Sequence, residues 1–350
     1  MQRLFRFRGL TFVRLITVLM AVLAASRALP AEISIQESGR NLVFESADHQ
    51  EFIGDLVFLT ESRIVAGGYY GPSESLQVFD LKTDRMIQKI AHDMTGITDL
   101  DVSSDGQRVA ATGGLGQVRV WQTKDWSVCS RHELHVARCV KFLDGGSLVA
   151  SGGDIPGGND LVVWNFDRQE LHRRWPVQES YFRRLATSPD GKLFASVSNN
   201  SVHHIWNLQD FSLVSTCRGD ERIEPTHCVY FFRDSLRIAS GSSGFKDPCT
   251  RIWNVRSGEQ LATLQGWKGI PTAVFGLSDD KYILTVCSIG EFWVHSVATG
   301  KKVFQLKSPK RFDSAALAPN GRTLLTTEFT KITIWNIDIP EMEKGTGAAK

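Results

Sequence analysis

A column of large rings at a nearly constant interval constrains this chain more than any other feature. Phe79, Trp121, Trp164, Trp206, Trp253, His295 and Trp335 follow one another at spacings of 42, 43, 42, 47, 42 and 40 residues. The same short text returns around five of them: VRVWQ at Trp121, LVVWN at Trp164, HHIWN at Trp206, TRIWN at Trp253 and ITIWN at Trp335. A pentapeptide recurring at this period marks a repeat architecture, in which each unit buries its apolar face only against its neighbours. Length alone, 350 residues, suggests about two domains at roughly 150 residues each. One period running through nearly everything overrides that prior and predicts a single array over residues 32–339.

Each repeat reads as four short strands. In the second, residues 97–102 alternate polar and apolar, Ser103-Ser104-Asp105-Gly106 is turn chemistry, and residues 108–112 continue. Gly113 to Gly116 break the run, residues 118–121 alternate again, and Thr123-Lys124-Asp125 turn into a fourth strand. Four strands about every 42 residues make one blade of a β-propeller. The predicted fold is therefore all-β: a seven-bladed propeller of four-stranded antiparallel blades. The last repeat has room for only three strands, whereas residues 39–44 resemble the fourth strand of the sixth repeat, residues 300–304. Residues 41–46 are therefore expected to close the ring by pairing with the strand of Trp335. The polar tail, 340–350, is expected to be disordered.

These residues carry a resemblance to the WD-repeat (WD40) family over nearly all of the array. That family places a His about thirty residues before the strand-c ring. His49, His92 and His135 stand 30, 29 and 29 residues before Phe79, Trp121 and Trp164. It also favours an Asp six residues ahead of the Trp, where only Asp247 matches; Leu115, Asn200 and Phe329 occupy other such positions. The residue after the ring is mostly Asn (Asn165, Asn207, Asn254, Asn336), with Asp80 the exception. The resemblance is thus to a divergent member of exported, bacterial type, whose blades rely on packing more than on His–Asp hydrogen bonding. It implies scaffolding in general and names no partner.

Before the array, Arg3, Arg6, Arg8 and Arg14 precede the apolar run 15–25 and the small-residue stretch 25–31. That order is a secretory signal peptide over 1–31, too short in its apolar part to span a bilayer, and it predicts a secreted or periplasmic protein. The rival is an uncleaved leader tethering the protein to a membrane. A net charge of +2 gives no electrostatic footprint for nucleic acid. Six cysteines invite two equivalent disulfides, Cys129–Cys139 and Cys217–Cys228. Outer and inner strands of successive blades are too far apart for that bridge, which favours buried thiols. Nothing in the sequence calls for a cofactor, and no cysteine–histidine cluster has zinc spacing.

Catalytic motifs are missing: there is no Gly-x-Ser-x-Gly elbow and no phosphate-binding Gly-Lys-Ser/Thr loop. His203 and His204 would face opposite sides of a strand and cannot jointly grip a metal. Asp154 and Asp160 lie in a Gly-rich loop without EF-hand spacing. What stands out is surface. Loops joining strands b and c, and successive blades, share one face of such a propeller, and they carry Tyr69, Tyr70, Trp175, Tyr181, Arg183, Arg222, Phe245, Lys246, Trp267 and Arg311. Tyr, Trp and Arg dominate binding hot spots. The expectation is a non-catalytic, monomeric scaffold that binds another protein or a peptide through this face. The alternative is an enzyme, or a small-ligand or metal binder, with its site at the mouth of the central channel.

Overall fold

The computed structural model describes residues 33–45, 52–69, 75–134, 137–143, 147–152, 160–176, 182–219, 225–243 and 248–339. Ile35–Ile337 form one compact unit. The other described residues, 33, 34, 338 and 339, fall outside this unit. The expected leader and disordered tail lie outside the described residues.

The architecture is an all-β propeller of four-stranded blades. β1 is Ser34–Val43, and β2 (Ile53–Thr60), β3 (Arg63–Gly68), β4 (Ser75–Asp80) and β5 (Arg85–Ala91) form the first full sheet. The next is β6 (Ile97–Val102), β7 (Arg108–Gly113), β8 (Gln117–Gln122) and β9 (Val128–Glu133). Then come β10 (Ala137–Leu143), β11 (Ser147–Gly152), β12 (Asp160–Asn165) and β13 (Glu170–Pro176). The fourth holds β14 (Phe182–Thr187), β15 (Leu193–Ser198), β16 (Val202–Asn207) and β17 (Leu213–Arg218). The fifth holds β18 (Thr226–Phe231), β19 (Arg237–Ser242), β20 (Cys249–Asn254) and β21 (Gln260–Leu264). The sixth holds β22 (Pro271–Leu277), β23 (Tyr282–Cys287), β24 (Glu291–Ser296) and β25 (Lys302–Lys307). Six sheets are thus built from consecutive strands. A seventh joins β26 (Ala315–Leu317), β27 (Thr323–Glu328) and β28 (Lys331–Asp338) to β1. Each first strand packs on the first strand of the next sheet, and β26 packs on β2.

The closing strand starts earlier than the sequence suggested. It runs Ser34–Val43 rather than 41–46; residues 44 and 45 follow its end, and Ser46 lies outside the described residues. Gln77, fully buried on β4, fastens the chain just beyond it. Its amide nitrogen donates to Glu45 O at 2.7 Å, and its oxygen accepts from Glu45 N at 2.9 Å. Arg40 reaches the turn after β4, where its Nε donates to Asp84 Oδ2 at 2.7 Å. The first sheet therefore grips the outer strand of the last.

The ring column occupies the third strand of every sheet, from Phe79 on β4 to Trp335 on β28. Phe79, Trp121 and Trp253 are at most 1% exposed, while Trp164 is half-buried. Packing of the column is supplemented by hydroxyl groups. Trp206, Trp253 and Trp335 donate their indole N–H to Ser196, Ser240 and Thr326 hydroxyls on the adjacent second strands, at 2.9, 2.8 and 2.8 Å. Ser240 also bonds His203 Nε2 at 3.0 Å, and that fully buried ring meets Trp253 edge-on. His204 instead stacks on Trp206 of its own strand. The two histidines do diverge, as strand geometry requires. All six cysteines are described and none is in a disulfide; five are buried and Cys129 half-buried.

Five residues past the column ring, the chain turns into the left-handed region in six sheets. Glycine fills two of these places, Gly258 and Gly300; Asp84, Trp126, Gln169 and Phe211 fill the others at φ of 55 to 58°. The non-glycine residues carry backbone strain of roughly 1 kcal/mol each.

Candidate functional site

The feature that builds the site is a defect in strand pairing. In six first strands the ladder to the second strand skips one residue: Gly54, Thr98, Arg138, Arg183, His227 and Thr272. A bulge of this kind leaves one residue unpaired and re-aims its side chain. Because it recurs at the start of each inner strand, the re-aimed residues gather where the second-to-third-strand turns lie. Five of the six line one cavity of about 180 Å³ there, with Tyr69, Arg184 and Asp313. Gly54 adds no side chain, since a Cβ would fall 1.9 Å from Ile97 O. Tyr69 borders the cavity instead, its ring 4.9 Å from that of Phe52.

The described lining of the cavity is cationic: three guanidinium groups, Arg138, Arg183 and Arg184, meet one carboxylate, Asp313. Asp313 is already engaged, accepting the Phe329 N–H at 2.9 Å. Arg183 Nε donates to Asn199 Oδ1 at 2.8 Å, and Arg184 Nη1 lies 3.5 Å from Asp99 Oδ1. Thr98 and Thr272 turn their hydroxyls back onto their own sheets, to Thr112 O and Val286 O at 3.1 and 3.2 Å. His227 Nε2 is buried and has no hydrogen-bond partner among the described residues. Burial, with Arg183 and Arg184 adding to it, pulls its pKa down to about 4, so at neutral pH the ring is uncharged. Guanidinium groups converging in a sheltered cavity are suited to holding an oxyanion by charge-assisted hydrogen bonds.

A step deeper the inner strands carry Asp55, Asp99 and Asp101. Each accepts a backbone N–H of the next inner strand: Leu100 at 2.9 Å, Val140 at 2.9 Å and Phe142 at 2.7 Å. Ser314 Oγ donates to Asp55 Oδ1 at 3.1 Å and so links the last sheet to the first. Burial pushes the Asp99 carboxyl well above the usual carboxylate range, against the pull of Arg184. At the far end Lys141 pairs with Asp101 beside a cavity of about 210 Å³. A larger cavity, about 420 Å³, is lined by His172, Lys192, Phe211 and Arg256 and shares none of the rim residues. Among the described residues no group of three or more His, Cys, Asp or Glu is arranged to hold a metal ion.

The residues expected on the binding face separate. Tyr69 and Arg183 meet in the rim cavity. Trp175 is not on a connection but on the outer strand β13, half-buried 5.5 Å from Trp206 and 5.5 Å from Phe211. Trp267 is 4% exposed, packed 6.0 Å from Trp293 and 5.7 Å from His295, and offers a partner almost nothing. Arg311 is exposed and outside the cavity. Tyr70, Tyr181, Arg222, Phe245 and Lys246 lie outside the described residues. The sequence reading missed Arg138, Arg184 and His227, whose only signal is their place at the start of an inner strand. It also missed the exposed apolar residues of the same end: Leu115, Ile289 and Phe329 on second-to-third-strand turns, 67%, 37% and 63% exposed, and Ile270 on the cavity wall.

The sequence model of the family described as WD domain, G-beta repeat matches residues 85–122, from β5 to the end of β8. The chain is similar to Protein LST8 homolog of Drosophila melanogaster, 25% identical over 204 residues, 55% of this chain and 62% of that protein. It is similar to apoptotic protease-activating factor 1 of Rattus norvegicus, 21% identical over 247 residues, 66% of this chain and 19% of that protein. Transducin-like enhancer protein 2 of Mus musculus is 25% identical over 191 residues, 51% of this chain and 23% of that protein. The chain thus spans less than two thirds of the length of each of these relatives.

Proposed function

For a chain that belongs, as a divergent member, to the WD-repeat family, we propose the role of a non-catalytic interaction platform, a seven-bladed ring that docks another protein or a peptide on its second-to-third-strand turn face. The observation that carries this reading is the pattern on that face. Leu115, Ile270, Ile289 and Phe329 stand exposed there around a polar cavity. Exposed apolar side chains grouped about polar ones are the surface composition of a docking site. A platform gains from a rigid frame, and the closed ring of inner strands supplies one.

The residues of the leader, Arg3 to Arg14 and the apolar run 15–25, support placing this platform outside the cytoplasm, secreted or periplasmic. Mass spectrometry of the mature N-terminus tests that placement: loss of residues 1–31 is expected, and retention would point to a tether. The docking reading is tested by affinity capture from the native source with wild type and a Leu115→Glu/Phe329→Glu variant. Both positions are exposed, so the fold should be unaffected. A partner held by wild type and lost from the variant supports the face. An identical captured set from both proteins overturns it.

A further inference from the structure

We propose that the channel mouth is an oxyanion-binding site, in which Arg138, Arg183 and His227 receive one carboxylate or phosphate group above the Arg184–Asp99 pair. This deepens the platform reading by naming the chemistry that a partner brings to the face, and rests on that reading only for the source of the anion. Four observations converge. The three residues occupy the same bulged slot in three consecutive inner strands, so backbone geometry aims them at one place. They line one cavity of about 180 Å³, room for a small acid group and a few waters rather than for a large ligand. Among the described lining residues, three guanidinium groups stand against one carboxylate, and that carboxylate accepts the Phe329 N–H. Finally, His227 Nε2 is buried with no hydrogen-bond partner among the described residues, and an anion beside it would offer one.

The deeper ion pair fixes where the anion sits. Arg184 is committed to Asp99, and the buried Asp55 and Asp99 side chains below the rim are already bonded to backbone N–H groups of the next inner strands. The anion is therefore held at the rim, reachable from the docking face. A partner's acidic side chain or chain-terminal carboxylate, or a free small acid, would meet the same three side chains.

The test titrates the full chain with inorganic phosphate, and separately with a tetraglutamate peptide, by calorimetry and by NMR of the histidine rings. Phosphate is expected to bind wild type, to shift the His227 ring signals, and to bind an Arg138→Gln/Arg183→Gln variant at least tenfold more weakly. Tighter binding of the peptide than of phosphate would assign the site to a partner's acidic segment; phosphate alone would assign it to a free anion. If neither probe binds, or if the His227 signals stay still while the heat of binding is seen, the proposal is overturned. The ring signals are read on wild type, so the outcome stands even where the double variant fails to fold. The same variant in the capture experiment separates the two readings. Phosphate binding abolished with partner capture intact would leave the anion site standing and remove it from docking.

Discussion

Two tiers of polar side chains line one channel, and they do different work. In the inner tier Asp55, Asp99 and Asp101 each take a backbone N–H from the neighbouring inner strand, at 2.7 to 2.9 Å. An inner strand is the edge of its sheet, and its outward amides have no ladder partner. The carboxylates supply one, so this tier holds the ring together. At the rim, Arg138, Arg183 and His227 project from bulges into a cavity they share. The lesson is that buried charge in a propeller channel is not itself a sign of a site. What the charge is bonded to decides whether it belongs to the frame or to the surface.

The largest test of that distinction is Asp99→Leu, which strips Val140 of its acceptor and leaves Arg184 without its near carboxylate. Urea unfolding should show a loss of about 4 kcal/mol, with Asp99→Asn costing far less because its amide oxygen still accepts. A loss under about 1 kcal/mol for Asp99→Leu would collapse the two tiers into one. Next in size is an acid window set by His203. Burial, with His204 and Arg251 adding to it, lowers its pKa to about 3, so the native ring stays neutral while the unfolded chain takes up a proton below about pH 6.5. The unfolded state then binds more protons, and stability falls as pH drops from about 6.5 toward 3, by about 3 kcal/mol at about pH 4.5. His227 adds a smaller slope down to about pH 4. A His203→Gln variant should flatten the curve; an unchanged slope would mean that other groups set it.

Gln77, fully buried on β4 away from the inner strands, belongs with the inner tier because it too serves backbone groups. Gln77→Ala should cost about 2 kcal/mol in thermal or urea unfolding, and a neutral result would show that water replaces both of its bonds to Glu45. The smallest effect is expected at the rim. Arg183→Gln should change stability by less than about 0.5 kcal/mol while weakening phosphate tenfold or more. A large stability loss would move Arg183 into the frame.

How far the sequence could be read follows from what each feature depends on. The column rings were legible because a buried third strand must show a large ring at the repeat period, and all seven lie on that strand. The closing strand was legible in existence and misplaced at its start. Its outer residues face solvent, as 60% exposed Val43 does, and solvent sets no pattern. Gly258 and Gly300 announce the left-handed turn after the ring, whereas Trp126 and Phe211 adopt it with no local sign, because packing of their rings outweighs the backbone strain.

Trp267 and Trp175 read as loop anchors since they stand outside the column. Packing on Trp293 and Trp206, rings of other repeats, places them in the core. That contact exists only once two sheets are assembled. The rim has the same origin. Whether Arg138, Arg183 or His227 points into the channel or away from it turns on one skipped residue in a strand ladder, and a shift of one residue reverses every side chain. Period, strand count and column were thus determined by local alternation and spacing along the chain. The cationic mouth was decided by tertiary structure, because it is made of single residues from separate repeats that meet only when the ring closes.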